Sequence, residues 1–144
     1  MMFDSILIVC VGNICRSPIG ERLLKNLLPN KDISSAGISA LVGNSADPKA
    51  LAVANKYGLN LDGHNARQLT ADMCRKSSLI LVMERKHIDA VCQFSPEARG
   101  KTMLFGHWND RKEVVDPYRK SDEVFEFVYN LLAESAQKWV KALN

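Results

Sequence analysis

Cys10 stands at the end of the apolar run SILIVC, and Arg16 follows it across five residues in CVGNICRS. A sulfur nucleophile and a guanidinium on one turn of chain can meet the same tetrahedral anion, the guanidinium as a two-pronged clamp and the sulfur as the attacking atom. Between them, Val11, Gly12, Asn13, Ile14 and Cys15 are free to aim their backbone N–H groups inward as an anion-binding nest. Gly12 permits close backbone approach, and Asn13 tolerates the left-handed conformation that such a nest needs. Ser17 and Pro18 read as the N-cap and first residue of a helix whose positive dipole end joins the nest. Val11 to Ser17 is therefore the expected phosphate-binding segment. A helix N-terminus and a guanidinium beside a thiol favour the thiolate, so Cys10 is expected to attack phosphorus without a separate base.

A departing alkoxide or phenoxide needs a proton. Asp116, in VVDPYRKS, is the candidate acid, because Pro117 stiffens its loop and Tyr118 offers an aromatic wall that can stack on a flat phenyl group. The chain has no GxGxxG, and its phosphate loop lacks the GK[ST] of nucleotide-binding loops. Arg16 and the loop amides can carry the phosphate charge themselves, so neither a metal nor any other cofactor is expected.

These residues need a frame. Ser5 to Cys10 reads as a strand buried on both faces, and Ile19, Leu23, Leu24, Leu27 and Leu28 give the following helix an apolar side. A short strand is expected over Asp32 to Ala36, a loop over Ile38 to Ala46, and a helix from Asp47 and Pro48 that Gly58 ends. Thr70 reads as the cap of another helix. Ser78 to Met83 is the second buried strand, ERKHIDAVCQF a helix after it, and Lys101 to Phe105 a fourth strand. Ser121 to Leu143 closes the chain as a long helix with Val124, Phe127, Val128, Leu131, Leu132, Ala136 and Trp139 on its apolar stripe. Alternating strands and helices predict an α/β fold: one domain of residues 1–144 with a small parallel four-stranded sheet in flavodoxin-like order, helices on both faces. In such a sheet the ligand crevice lies beyond the carboxyl ends of the strands, where CVGNICRS falls.

A chain of 144 residues, 47% hydrophobic, suits one core. Its net charge of +3 is spread along the chain without the clustered basic stripe of a duplex-binding protein, so no nucleic-acid partner is expected. No run approaches the roughly 20 apolar residues of a membrane span, and Asp4 stands where a signal peptide would be basic. A cytoplasmic protein with no membrane insertion is expected. Its four cysteines (10, 15, 74 and 92) are then reduced thiols, with Cys74 and Cys92 acting as small hydrophobes.

The chain resembles the low-molecular-weight protein tyrosine phosphatases. The likeness runs from SILIVCVGNICRSPIGERLL through SSAG (34–37) and GHNARQLT (63–70) to DPYRKS (116–121). It implies Cys10 as nucleophile, Arg16 as phosphate clamp, and Asp116 as the acid of the first step and the base that activates water in the second. It further implies that Ser17 hydrogen-bonds the Cys10 sulfur, that Asn13, Ser35 and His64 brace the loop, and that Cys15 captures an oxidised Cys10 as a disulfide. Where eukaryotic members carry an aromatic pocket residue, this chain has Ala40, Leu41 and Val42, so Leu41 is expected as pocket wall beside Ile14 and Tyr118. GHNARQLT, ARGKTMLFGHW and DPYRKS resemble the bacterial branch associated with exopolysaccharide and capsule export. That likeness implies a tyrosine-phosphorylated partner, a membrane-bound tyrosine kinase with a tyrosine-rich tail, to which Arg119 and Lys120 could add attraction.

Two rival enzymes share this frame. A thiol-coupled arsenate reductase would relay a disulfide to a close cysteine pair, whereas Cys74 and Cys92 stand 18 residues apart with SLILVM between them. A phosphoarginine phosphatase tends to carry threonine where this chain has Ile14, and lacks the tyrosine of DPY. A phosphotyrosine-binding module without catalysis is a third reading, and the joint presence of nucleophile, clamp and acid speaks against it.

Overall fold

A computed structural model describes residues 3–144. Strand β1 (Ser5–Cys10) is the centre of the design: with Ile6, Ile8 and Cys10 facing one way and Leu7 and Val9 the other, both of its faces must be covered. It pairs in parallel with β2 (Asp32–Gly37) on one side and β3 (Leu79–Val82) on the other, and β3 pairs with β4 (Thr102–Leu104). The order β2-β1-β3-β4 is the expected flavodoxin-like one. Helices α1 (Arg16–Leu27), α2 (Pro48–Lys56) and α5 (Asp122–Leu143) cover the face of Ile6 and Ile8. On the other face lie α3 (Ala71–Lys76), α4 (Arg85–Phe94) and a 3-10 turn, Pro96–Lys101. Because β1 leaves neighbours in opposite directions, the loop that follows it opens at the switch point of the sheet, unobstructed by a crossover.

Most elements fall within a residue or two of the sequence expectation, and the differences have physical causes. Ser17 does not cap α1: the helix begins at Arg16 with Cys15 in the N-cap position, and the Ser17 hydroxyl turns inward to other work. The stripe of α5 holds at Val128, Leu131, Leu132, Ala136 and Trp139, all buried, with Phe127 as its exception. Phe127 is 60% exposed, while Phe125 and Tyr129 are buried, Tyr129 stacked on Tyr57 at 4.8 Å between ring centroids. The 3-10 turn, over PEARGK, was not expected. Asp47 and Thr70 do cap α2 and α3, accepting from the main-chain N–H of Lys49 and Met73. Cys74 is fully buried as expected, and Cys92 only partly. Among the described residues no helix is long and apolar enough to cross a membrane.

Gly37 joins the sheet to the loop after β1. It pairs with Cys10 across the strands, its N–H donates to Arg67 O, and its carbonyl accepts from Leu69 N. A Cβ on it would overlap the Val11 carbonyl and crowd Asn13 Cβ at 3.1 Å. With its backbone held from two sides, the residue cannot retreat. Gly37→Ala is expected to cost about 1–3 kcal/mol, the usual range for overpacking, and to slow turnover by distorting the loop. Urea unfolding checks the first effect, and a parental unfolding midpoint would show that the loop yields freely.

Candidate active site

The loop after β1 is held from outside by its carbonyls. Ile38 N donates to Cys10 O, Ser39 N to Val11 O, Leu41 N to Gly12 O and Asp47 N to Ile14 O, all at 2.9 to 3.0 Å. The Asn13 carbonyl meets His64 Nε2 at 2.6 Å. With five consecutive carbonyls drawn outward, the N–H groups take the inner side, and among the described residues the amides of Val11 to Cys15 have no protein partner. Backbone donors beside a buried wall are rarely left unpaired. A ring of them at a cavity is a receptor for an anion.

Asn13 makes the loop turn. Its φ is +61°, the left-handed region that asparagine tolerates better than most residues, and its side chain is wholly buried. Arg67 N donates to Oδ1 at 2.9 Å, while Nδ2 donates to Ser17 Oγ at 2.7 Å and to Ser35 Oγ at 3.0 Å. The Ser35 hydroxyl donates in turn to Glu21 Oε1 at 2.5 Å. Burial works to raise the Glu21 carboxyl, but Ser35 and Lys25 outweigh it and hold it below its ordinary range, so it accepts only. Direction then passes along the chain of bonds. Because an amide NH2 can only donate, Ser17 receives a proton from Asn13 and keeps its own for the Cys10 sulfur, 3.0 Å away. Ser17, Asn13, Ser35 and His64 thus meet as the resemblance implied, while Glu21 and Arg67 were missed. Both sit in the family-like segments GERLL and GHNAR, but nothing in their types distinguishes them from surface charges.

Arg16 is 1% exposed, which an arginine accepts only when its N–H groups are used. One terminal nitrogen, NH1, donates to Glu84 Oε2 at 2.7 Å and to Val114 O at 2.8 Å. The other, NH2, lies 3.8 Å from Asp116 Oδ2. Glu84, just before α4, was not expected from the sequence. Burial works to raise its carboxyl and the Arg16 guanidinium wins, keeping it below the usual carboxylate range. Asp116 is half-exposed at the mouth, its Oδ1 accepting from Tyr118 N at 3.0 Å, which locks the Asp-Pro-Tyr turn with Oδ2 toward the arginine.

Cys10, Arg16 and Asp116 line one cavity of about 190 Å³. For scale, a dry cavity of about 150 Å³ admits benzene, so the space suits a phenyl ring with its phosphate at the floor. Val11, Gly12, Ile14 and Cys15 form its base, and Leu41 and Tyr118 its apolar sides, together with Ser39, which was not foreseen. Asn13 and Ser17 do not line it; their side chains lie behind the loop, fully buried. Burial, reinforced by Asp47, pushes the Cys15 thiol well up from its ordinary range. Among the described residues no group of three His, Cys, Asp or Glu side chains has the arrangement of a metal site.

Known proteins resemble this chain over nearly its whole length. The family model described as low molecular weight phosphotyrosine protein phosphatase matches residues 5–144. A probable low molecular weight protein-tyrosine-phosphatase, AmsI of Erwinia amylovora, is 62% identical, with 99% of each chain covered. Its crystal structure superimposes with a TM-score of 0.97 over 98% of this chain and 93% of that one. Wzb of Escherichia coli K30, a tyrosine phosphatase solved with sulphate, is 56% identical with a TM-score of 0.97, covering 99% of this chain and 100% of that one. Vibrio vulnificus Wzb, solved with benzylphosphonate, is 52% identical with a TM-score of 0.95, covering 97% and 99%. With the sheet order, the outward-tied loop and the match over all but the first few residues in agreement, this chain belongs to the low molecular weight phosphotyrosine protein phosphatase family.

Proposed function

We propose that the protein hydrolyses phosphotyrosine in a protein substrate through a cysteinyl-phosphate. The observation that carries this reading is the ring of unpartnered amides around Cys10, with Arg16 beside it and an apolar slot above. The dianion sits on the Val11 to Cys15 amides and on the free edge of Arg16, which fixes phosphorus in line with the sulfur. Cys10 attacks as the thiolate. The S–P bond forms as the P–O bond to the tyrosyl oxygen breaks, and Asp116 gives that oxygen its proton. In the second step Asp116 takes a proton from water, whose oxygen displaces sulfur from phosphorus. Ser17 steadies the sulfur anion on arrival and departure through its hydroxyl proton.

The slot supports an aryl ester. Ile14 on the floor and Leu41 and Tyr118 on the sides bury a phenyl ring well, whereas the guanidinium of phosphoarginine would lose hydration against these apolar walls. The likeness of GHNARQLT, ARGKTMLFGHW and DPYRKS to the bacterial branch supports a role in exopolysaccharide or capsule export, and the partner proposed is a membrane-bound tyrosine kinase with a phosphorylated tyrosine-rich tail. The proposed place of action is the cytoplasm, as one domain spanning residues 1–144.

A panel of phosphotyrosine, phosphoserine and phosphoarginine peptides tests the assignment, with phosphate release expected from the first alone. Cys10→Ser should release none and retain the phosphotyrosine peptide; a preference for phosphoarginine overturns the reading. Asp116→Asn should slow aryl phosphates of high leaving-group pKa by about 10²- to 10⁴-fold, and strongly activated esters much less. Equal losses on both would remove Asp116 from the role of acid.

Cys15 is proposed to protect the nucleophile. Peroxide converts the Cys10 thiolate to a sulfenic acid; the Cys15 thiol then forms the S–S bond as the S–O bond breaks, and water leaves. Cys15→Ser should keep parental turnover yet fail to regain activity when a dithiol reductant follows peroxide. Full recovery in that variant would assign the protection elsewhere.

A further inference from the structure

His87 lies in the first turn of α4, 2% exposed, and the proposed reaction leaves it unused. Its Nδ1 accepts a hydrogen bond from the Glu84 main-chain N–H at 3.2 Å, so the single proton of the neutral ring belongs on Nε2. That Nε2 is, among the described residues, the one buried side-chain polar atom without a hydrogen-bond partner. A buried donor left unpaired is costly.

An acceptor stands close by. Glu84 Oε2 lies 3.6 Å from His87 Nε2, too far for a hydrogen bond, and it is the same oxygen that receives Arg16 NH1 at 2.7 Å. Burial first, and then the Arg16 cation with Lys86, disfavour a second proton on the ring, against the opposing pull of Glu84 and Asp116. His87 therefore faces the carboxylate as a neutral donor and does not compete with Arg16 as a cation.

We propose that His87 is a positioning residue for the phosphate clamp: its Nε2–H closes on Glu84 Oε2 when a bound dianion draws the Arg16 guanidinium toward the cavity, so that the carboxylate behind the clamp stays fixed in both states. The proposal rests on the reading of Arg16 as the phosphate ligand. Without His87, Glu84 would follow Arg16 or lose part of its hydrogen bonding whenever phosphate bound, and affinity for the dianion would fall. Chemistry at sulfur, in a cavity that Glu84 does not line, would change less.

Nitrogen-15 NMR of the full chain, titrated with inorganic phosphate, tests this without a substitution. The free protein should show the Nε2-protonated neutral tautomer, and saturation should move the Nε2–H proton downfield and slow its exchange with water. His87→Phe, which keeps the ring volume without nitrogens, should raise both KM and the phosphate inhibition constant by about tenfold with kcat within about threefold. His87→Gln, which again offers an acceptor and a donor, should recover most of that loss. A histidine that merely capped α4 would lower the unfolding midpoint and leave the phosphate constants alone. An Nδ1-protonated ring, an Nε2–H signal indifferent to bound phosphate, or a folded His87→Phe protein with parental phosphate affinity overturns the proposal. Failure of phosphate to bind the parent protein at all would overturn it together with the phosphatase reading, which distinguishes the two failures.

Discussion

The site depends on where five carbonyls point. A loop whose C=O groups are claimed by donors on neighbouring segments has no choice about its N–H groups, and here Ile38, Ser39, Leu41, His64 and Asp47 claim those of residues 10 to 14. The donors come from the segment after β2, from the start of α2 and from the loop before α3, so the receptor is assembled by the tertiary fold and not by the eight residues themselves. This is electrostatic preorganisation in its simplest form: the dipoles are aimed before the anion arrives, and no reorganisation is needed when charge develops. It also accounts for the tight junction at Gly37, because a strand end that must pass its amides directly beneath the loop has no space for a side chain.

The same logic extends to the sulfur. Glu21, held as a carboxylate, dictates which way the Ser35 hydroxyl points; Asn13 can only donate through Nδ2; and Ser17 is left with one proton and one place to put it. Four residues from α1, β2 and the loop thus convert a buried negative charge into a hydrogen-bond donor at Cys10. Each is more than nine-tenths buried. Such a network is favourable only when every member is satisfied, which is why a polar cluster can sit so close to the core of the molecule.

The meeting of Cys10, Arg16 and Asp116 in one cavity was legible because their types and spacing are unusual for any other purpose: Cys-x5-Arg after a buried strand and Asp-Pro-Tyr near the last helix. The sheet order was legible for a related reason, since β1 and β3 are continuous apolar runs that only a doubly covered parallel sheet can hide. Errors arose where a residue type serves two masters. Ser17 has the chemistry of a cap and is used on the sulfur instead, so the helix starts two residues sooner with Cys15 as its edge. Along α5 the expected stripe is buried from Val128 to Trp139, and only at its start does Phe125 take the inward place expected of Phe127. Glu84 and His87 were beyond reach because an acid just before a helix is an ordinary feature, and 68 residues of chain separate Glu84 from Arg16.

Arg16 shows why the clamp is an arginine and needs a carboxylate behind it. A buried cation with no partner is expensive, and an ion pair in such a place stabilises little once desolvation is counted; Glu84 is therefore better understood as fixing a direction than as strengthening the fold. The guanidinium has five N–H bonds in a rigid plane. With NH1 committed to Glu84 and to the Val114 carbonyl, the plane is set, and the remaining edge can meet two phosphate oxygens at once. A lysine could satisfy Glu84 or the phosphate as a point charge, but it has no second edge whose orientation the first could determine. The carboxylate does not line the cavity, and its hold on the geometry passes through NH1. On this account the arginine transmits position from α4 and the Val114 segment to the phosphate, and the charge it carries is only half of its function.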